Sequence, residues 1–230
     1  MEQIKEPHNG SILSPVLANI YMHYILTLWL EKKVKVNFKG ECYITVYADD
    51  FVCCFQYKGE AEKFKNEILP QRLRKFGLEL AEYKTRLIKF GRFAEQDIKS
   101  NKPKTFDFLG FTHYCSTSKD GRFRIKRKTS RKKFKSKVKE FNIWLKENKQ
   151  LKPKELMPKI NAKLRGHYQY FGITDNYAAI NRFLYEIDKL IFKHLNRRSQ
   201  RKSYSYETYR KMKESYPLIK PKIYVNVYDI

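Results

Sequence analysis

Residues 42–55 read CYITVYADDFVCCF, two runs dense in β-branched and aromatic residues separated by a short acidic centre. Runs of this composition form strands, and so short a centre leaves room only for a hairpin turn. Asp49 and Asp50 therefore fall at the tip of a β-hairpin. Paired strands hold the backbone there while the turn projects its side chains outward. Two adjacent like charges are costly unless a cation lies nearby. Two-metal phosphoryl transfer needs such a pair, because Mg²⁺ takes hard oxygen ligands and must clamp the attacking and the leaving oxygens. An ordinary acidic β-turn would read the same way, since Asp is common in turns.

Periodicity orders the rest of the chain. Ser14 can cap a helix with Pro15 at its first position, and Leu17, Ile20, Tyr24 and Leu28 recur at helical spacing, so this helix is expected to be largely buried. Glu60 to Phe76 returns to helical spacing through Phe64 and Ile68; Pro70 should kink or split that helix and Gly77 should stop it. TRLIKFGRF, TFDFLGFTHY and RFRIKR read as strands, with Gly121 in the turn before the last. From Ser130 onward the pattern is helical. Phe134, Val138, Phe141 and Leu145 form one apolar stripe, Ile160, Leu164, Tyr168 and Phe171 a second, and Ile180, Phe183, Ile187 and Leu190 a third, each read as core packing. The expected fold is α+β, with a mixed domain over residues 1–125 and an all-helical domain over residues 126–230.

Lys and Arg number 49 against 24 Asp and Glu, a formal charge of +25 on 230 residues. A domain this basic usually meets a polyanion, and nucleic acid is the first candidate. The densest cluster is Arg122, Arg124, Lys126, Arg127, Lys128, Arg131, Lys132 and Lys133, with Phe123 and Phe134 beside it. It offers phosphate contacts with aromatic surface, or else a solvated charged face. Arg165, His167 and Tyr168, with Arg197, Arg198, Arg201 and Lys202, suggest a second basic surface on helices. The apolar run Ser11 to Leu30 is interrupted by Asn19, His23 and Thr27, which suits a core helix better than a membrane span. With no signal pattern at the N-terminus, a cytoplasmic protein is expected. None of Cys42, Cys53, Cys54 and Cys115 makes a CxxC pair, so reduced core or strand cysteines are expected rather than a zinc or redox site.

The ordered segments GSILSPVLANIYMH, YADDFV, GLELAEYKT and FDFLGFTHY, followed by KLRGHYQYFGI, LNRRSQRKSYSYETYRKM and YPLIKPKIYVNV, resemble the bacterial group II intron-encoded reverse transcriptases and maturases over nearly the whole chain. The resemblance implies a partial reverse-transcriptase palm followed by a helical thumb, or maturase domain. It implies RNA-directed DNA synthesis with Mg²⁺, an RNA template or intron RNA, a DNA primer and deoxynucleoside triphosphates. Asp49 would be a metal ligand and Asp50 its less directly coordinating neighbour. Tyr47 and Ala48 would border the incoming nucleotide. Lys84 would protonate or stabilise the leaving pyrophosphate, unless it is a plain surface lysine. Phe108, Leu109, Gly110 and Phe111 correspond to the primer grip, a role compatible with a buried strand.

The match also departs from the family. Family polymerases carry fingers and a further catalytic Asp well upstream of the GSILSP block, so the expectation is an N-terminally truncated chain, inactive alone, with a separate N-terminal half as a candidate partner. His8 and Asn9 stand where the family has Pro and Gln before the residue matching Gly10, which bears on nucleotide contact at Asn9 and Gly10. No segment resembles an HNH endonuclease. Two other readings stand beside the polymerase: an RNA-binding maturase remnant that assists splicing without catalysis, and a degraded copy with an exposed, aggregation-prone sheet edge.

Overall fold

In the computed structural model, which describes residues 13–94, 104–118, 120–197 and 204–229, the segment 42–55 is a hairpin of β1 (Cys42–Tyr47) and β2 (Asp50–Phe55). The strands pair antiparallel, with Tyr47 opposite Asp50 and Cys42 opposite Phe55. Strand alternation gives the hairpin two unlike faces. Cys42, Ile44, Val46, Phe51, Cys53 and Phe55 turn to a core built on Ile25, Leu26, Leu30, Val34, Phe64, Leu69 and Leu73. Tyr43 and Tyr47 lie exposed on the opposite face, with Asp50 among them. A two-stranded sheet is marginal alone, and this apolar backing stabilises it.

The helices behind it depart from the expected pattern. Helix α1 (Leu13–Met22) already includes Ser14, so it begins before the expected cap. It continues as wide, π-type turns over His23–Leu28 and Leu30–Val34 and ends in a 3₁₀ turn at Lys35–Asn37. Leu17, Ile20 and Tyr24, expected inside, are 61%, 60% and 58% exposed, whereas Ile25, Leu26 and Leu30 are buried. The wide turns after Met22 hold more than 3.6 residues and put Ile25, Leu26 and Leu30 inside in place of Tyr24, while residues 14–20, on the regular turns before them, are all exposed among the described residues. The next helix splits where Pro70 requires it. Helix α2 (Lys58–Lys63) widens at Phe64–Ile68 and resumes as α3 (Leu69–Arg74), with Pro70 in its first turn. Gly77, at φ +67°, ends it: its N–H donates to the Arg74 carbonyl and that of Leu78 to the Leu73 carbonyl, a Schellman cap.

The chain divides into two compact units at Lys89 and Phe90. TRLIKFGRF, which spans that division, forms no strand; residues 85–90 are irregular and 91–94 form a turn. In the second unit β3 (Phe106–Phe108), β4 (Phe111–Thr117) and β5 (Phe123–Thr129) make an antiparallel sheet in the order β3-β4-β5. Helices α4 (Arg131–Asn148), α5 (Pro153–Phe171), α6 (Tyr177–Asn196) and α7 (Tyr206–Ser215) follow. The three sequence stripes meet in its core through Phe141, Leu145, Ile160, Leu164, Tyr168, Phe171, Ile180, Phe183 and Ile187. Ser130 caps α4, its Oγ accepting the Lys133 N–H at 3.3 Å.

Residues 217–229 form no helix and run as a strap across the end of α5. The Tyr224 N–H donates to the Gly172 carbonyl at 2.6 Å, Ile173 bridges Val225, and Asn161 bonds both Pro217 O and Ile219 N. A Cβ at Gly172 would meet the Lys222 carbonyl at 2.5 Å, so the strap can pass only because that residue is glycine. The fold is α+β, the four cysteines are unbridged, and none of the described helices is long and apolar enough to cross a membrane.

Candidate functional site

The acidic tip is a two-residue connection, Ala48 and Asp49, between Tyr47 and Asp50. Ala48 has φ +52° while Asp49 has no positive φ, the pattern of a type II′ turn. Glycine is the usual first residue of that turn, so alanine there is strained. Asp49 and Asp50 are both exposed, and neither carboxylate has a hydrogen bond or ion pair among the described residues. No third His, Cys, Asp or Glu gathers with them among those residues. Two adjacent hard-oxygen donors fit Mg²⁺, which binds through one or two carboxylates and keeps its other positions for water and phosphate oxygens. Behind the tip, burial pushes the Cys53 thiol up to about 12, which suits a packed core residue rather than a nucleophile.

Lys84 stands exposed in a turn, its Nζ 5.4 Å from the Tyr83 ring centroid, and no hydrogen bond or ion pair joins it to the acidic tip. His8, Asn9 and Gly10 lie outside the described residues.

Phe108 to Phe111 form a second two-residue tip, between β3 and β4. Leu109 and Gly110 have φ +50° and +79°. This tip is clamped from below. The Tyr170 hydroxyl donates to the Leu109 carbonyl at 2.9 Å, and the Ser130 N–H donates to the Gly110 carbonyl at 2.9 Å. The Phe111 ring stacks on Tyr170 with centroids 5.9 Å apart and packs against Phe171 at 5.3 Å. A Cβ at Gly110 would sit 3.4 Å from Lys133, so the tip packs closely on the start of α4.

Strand alternation divides the basic cluster. Arg124, Lys126 and Lys128 line one face of β5, opposite Ser116, Tyr114 and Thr112. Arg127 lies on the other face, opposite His113, whose pKa is held down by burial and then by the Arg127 charge. Arg131, Lys132 and Lys133 form the first turn of α4, which carries no acidic residue. A helix N-terminus already carries partial positive charge, so three cations there are unfavourable until an anion arrives. Of the second expected surface, Arg165 and Arg197 are exposed, whereas His167 and Tyr168 are core residues. The His167 ring stacks on Phe183 at 3.7 Å, and burial pushes its pKa down to about 4. Arg198, Arg201 and Lys202 lie outside the described residues.

Residues 5–113 match the family described as reverse transcriptase (RNA-dependent DNA polymerase), and residues 131–216 match the group II intron maturase-specific domain. The chain belongs to the group II intron reverse transcriptase and maturase family. A search of curated proteins found no match. The reverse-transcriptase match takes in both hairpin tips and Lys84. The maturase match begins at the first residue of α4 and ends just beyond α7, so the strap at 217–229 lies outside both.

Several structural residues of this family member escaped the sequence reading. Asn176 is fully buried. Its Oδ1 accepts the Thr129 N–H at 2.8 Å and its Nδ2 donates to Thr129 Oγ1 and the Phe171 carbonyl, tying the end of β5 to the end of α5. An Asn directly before a helical stripe was the available signal. Tyr170 and Tyr228 act over long sequence separations and left none.

Proposed function

We propose that this chain is a group II intron-type RNA-directed DNA polymerase, whose first 125 residues contribute a partial palm and whose residues 126–230 form the thumb. The observation that carries the reading is the exposed Asp49–Asp50 pair on a strained hairpin tip within a segment matching reverse transcriptases. Asp49 supplies an oxygen ligand to Mg²⁺ and Asp50 flanks it, while Tyr47 and Ala48 border the deoxynucleoside triphosphate, with Asn9 and Gly10. Bound Mg²⁺ would stabilise charge on the triphosphate and activate the primer terminus. Lys84 serves the leaving pyrophosphate, a role that requires the turn bearing it to approach bound substrate.

Phe108–Phe111 grips the DNA primer, and the clamp beneath it keeps that backbone in place. Arg122, Arg124, Lys126, Arg127, Lys128, Arg131, Lys132 and Lys133, with Arg165, Arg197, Arg198 and Arg201, hold RNA through its phosphates. The bare first turn of α4 supports this reading. We infer a cytoplasmic setting. We infer that a carboxylate from a separate N-terminal half completes the metal site, so that this polypeptide alone extends primers poorly.

Primer extension on an RNA template with Mg²⁺ tests this, using the chain alone and then with an added N-terminal fingers half from a relative. Synthesis only with the added half is the expected result. Silence in both, with RNA binding retained, would favour the second reading, a maturase that assists intron folding without catalysis; the match over 131–216 supports that alternative.

A further inference from the structure

Within the second unit, an open groove of about 740 Å³ is lined by Arg92, Gly121, Arg122, Phe123, Arg124 and Tyr228. Three distant parts of the sequence build it. Arg92 comes from the turn at 91–94, held to β4 by the Cys115 thiol, which lies 3.7 Å from the Gly91 carbonyl. Arg122 and Arg124 come from the β4–β5 turn and β5. Tyr228 comes from the strap.

None of the three arginines has a carboxylate partner among the described residues. Three guanidinium groups around one groove repel each other until an anion enters, and their planar forks suit phosphate oxygens. Asp175, whose carboxylate could have paired with an arginine here, accepts the Tyr228 hydroxyl instead, and it does so from a left-handed backbone at φ +72°. A second contact of that hydroxyl, 3.4 Å from the Ile125 carbonyl, fixes the ring further, and the Arg124 guanidinium lies 4.3 Å from its centroid.

The pattern continues along β5. Arg124, Lys126 and Lys128 share a face, about 6.7 Å apart at the usual strand rise. That spacing is close to the separation of successive phosphates along an extended nucleic-acid strand. Lys128 lies 5.0 Å from the Tyr114 ring centroid, so cation and aromatic alternate as they do on surfaces that bind single strands by charge and stacking.

We propose that this groove binds single-stranded nucleic acid, with phosphates on Arg92, Arg122 and Arg124 and a base stacked at Tyr228. The proposal rests on the nucleic-acid reading above and goes beyond it in three respects: it selects a single strand over a duplex, recruits Arg92, and makes the strap outside both family matches part of the binding surface.

The test is fluorescence anisotropy of the full chain with a short labelled single-stranded RNA and with the same sequence as a duplex, across a salt series. The Arg92→Ala/Arg124→Ala variant should weaken single-strand binding about tenfold or more and flatten the log–log salt slope by about 1.4, the share of two phosphates on a single strand. Tyr228→Ala should weaken it on the order of tenfold, as loss of one stacked base does. Tyr228→Phe, which keeps the ring but frees the Asp175 carboxylate, should bind more tightly than Tyr228→Ala and less tightly than the parent, and duplex affinity should fall by a clearly smaller factor than strand affinity in the Arg92→Ala/Arg124→Ala and Tyr228→Ala variants. Equal losses on strand and duplex, Tyr228→Phe binding as weakly as Tyr228→Ala, or a mononucleotide competing as well as the strand would each overturn the proposal. A parent chain that binds neither RNA would instead overturn the nucleic-acid reading itself. Lys132→Ala/Lys133→Ala, outside the groove, should weaken strand and duplex alike; selective loss of the strand there would place the site on α4 and contradict the groove.

Discussion

The two hairpin tips use one backbone device and support it in opposite ways. Each opens with a non-glycine residue at positive φ, Ala48 at +52° and Leu109 at +50°. The Leu109–Gly110 tip is clamped by Tyr170, Ser130 and Phe171. Among the described residues the Ala48–Asp49 tip has its strand ladder and the apolar backing of Val46 and Phe51 but no bond to the turn itself from outside the hairpin, and its two carboxylates are exposed. Left-handed strain of order 1–3 kcal/mol persists when surrounding structure over-determines it. At the second tip the fold supplies that support. At the first, it is left to whatever binds there, which suits a site that meets metal and nucleotide.

The contrast can be probed by weakening the support or relieving the strain. The largest effect is expected from Asn176→Ala, which leaves the buried Thr129 N–H unpaired, removes one of the two bonds to the Phe171 carbonyl and should destabilise the second unit by about 3 kcal/mol in urea unfolding. A shift well under 1 kcal/mol would mean the clamp does not depend on that joint.

Acid is the next probe. Burial, and then the Lys137 charge, lower the His167 pKa to about 4 from an ordinary 6.5. Between those values the unfolded chain takes a proton that the folded chain refuses, so stability falls as pH drops through that window, by up to about 3 kcal/mol. In His167→Phe that part of the acid sensitivity should disappear; an unchanged pH dependence would show that the ring titrates normally in the fold.

Gly110→Ala should cost about 1–2 kcal/mol, because a Cβ at φ +79° is strained and meets Lys133. Smallest of all, Ala48→Gly should raise stability by about 0.5 kcal/mol or leave it unchanged, since the relieved strain is partly offset by glycine's unfolded entropy. A loss above about 1 kcal/mol there would show that the tip is held by more than its ladder.

What the sequence revealed follows from how local each signal was. The β1–β2 hairpin, the Pro70 split, the Gly77 stop, the helical onset at Ser130 and the helical stripes of the second unit depend on neighbours within a few residues, and all were legible. The buried face of the first helix was not, because wide turns after Met22 put Ile25, Leu26 and Leu30 inside in place of Tyr24, and Leu17 and Ile20, on the regular turns before them, are exposed among the described residues. TRLIKFGRF has strand composition but is not paired as a strand among the described residues, and β-propensity expresses itself only in pairing. His167 and Tyr168 sit in a basic run whose composition points to the surface, although the stripe through Ile160, Leu164 and Tyr168 marks that side of the helix as core. Arg127 could have been set apart from Arg124 and Lys126 by strand alternation. Tyr170, Arg92 and Tyr228 were out of reach, since each acts on residues far along the chain. The one local trace of the strap was Gly172, glycine where a side chain would collide with it.

The most informative single experiment measures primer extension and RNA affinity on the same Asp49→Ala preparation, with the fingers half added and the parent chain alongside. If the free tip carries the chemistry and the second unit holds the nucleic acid, extension should fall ~1,000-fold, the loss of several kcal/mol of metal-borne stabilisation, while RNA affinity stays within about twofold. Extension that survives the substitution, or RNA affinity that falls in step with extension, would contradict that division of labour.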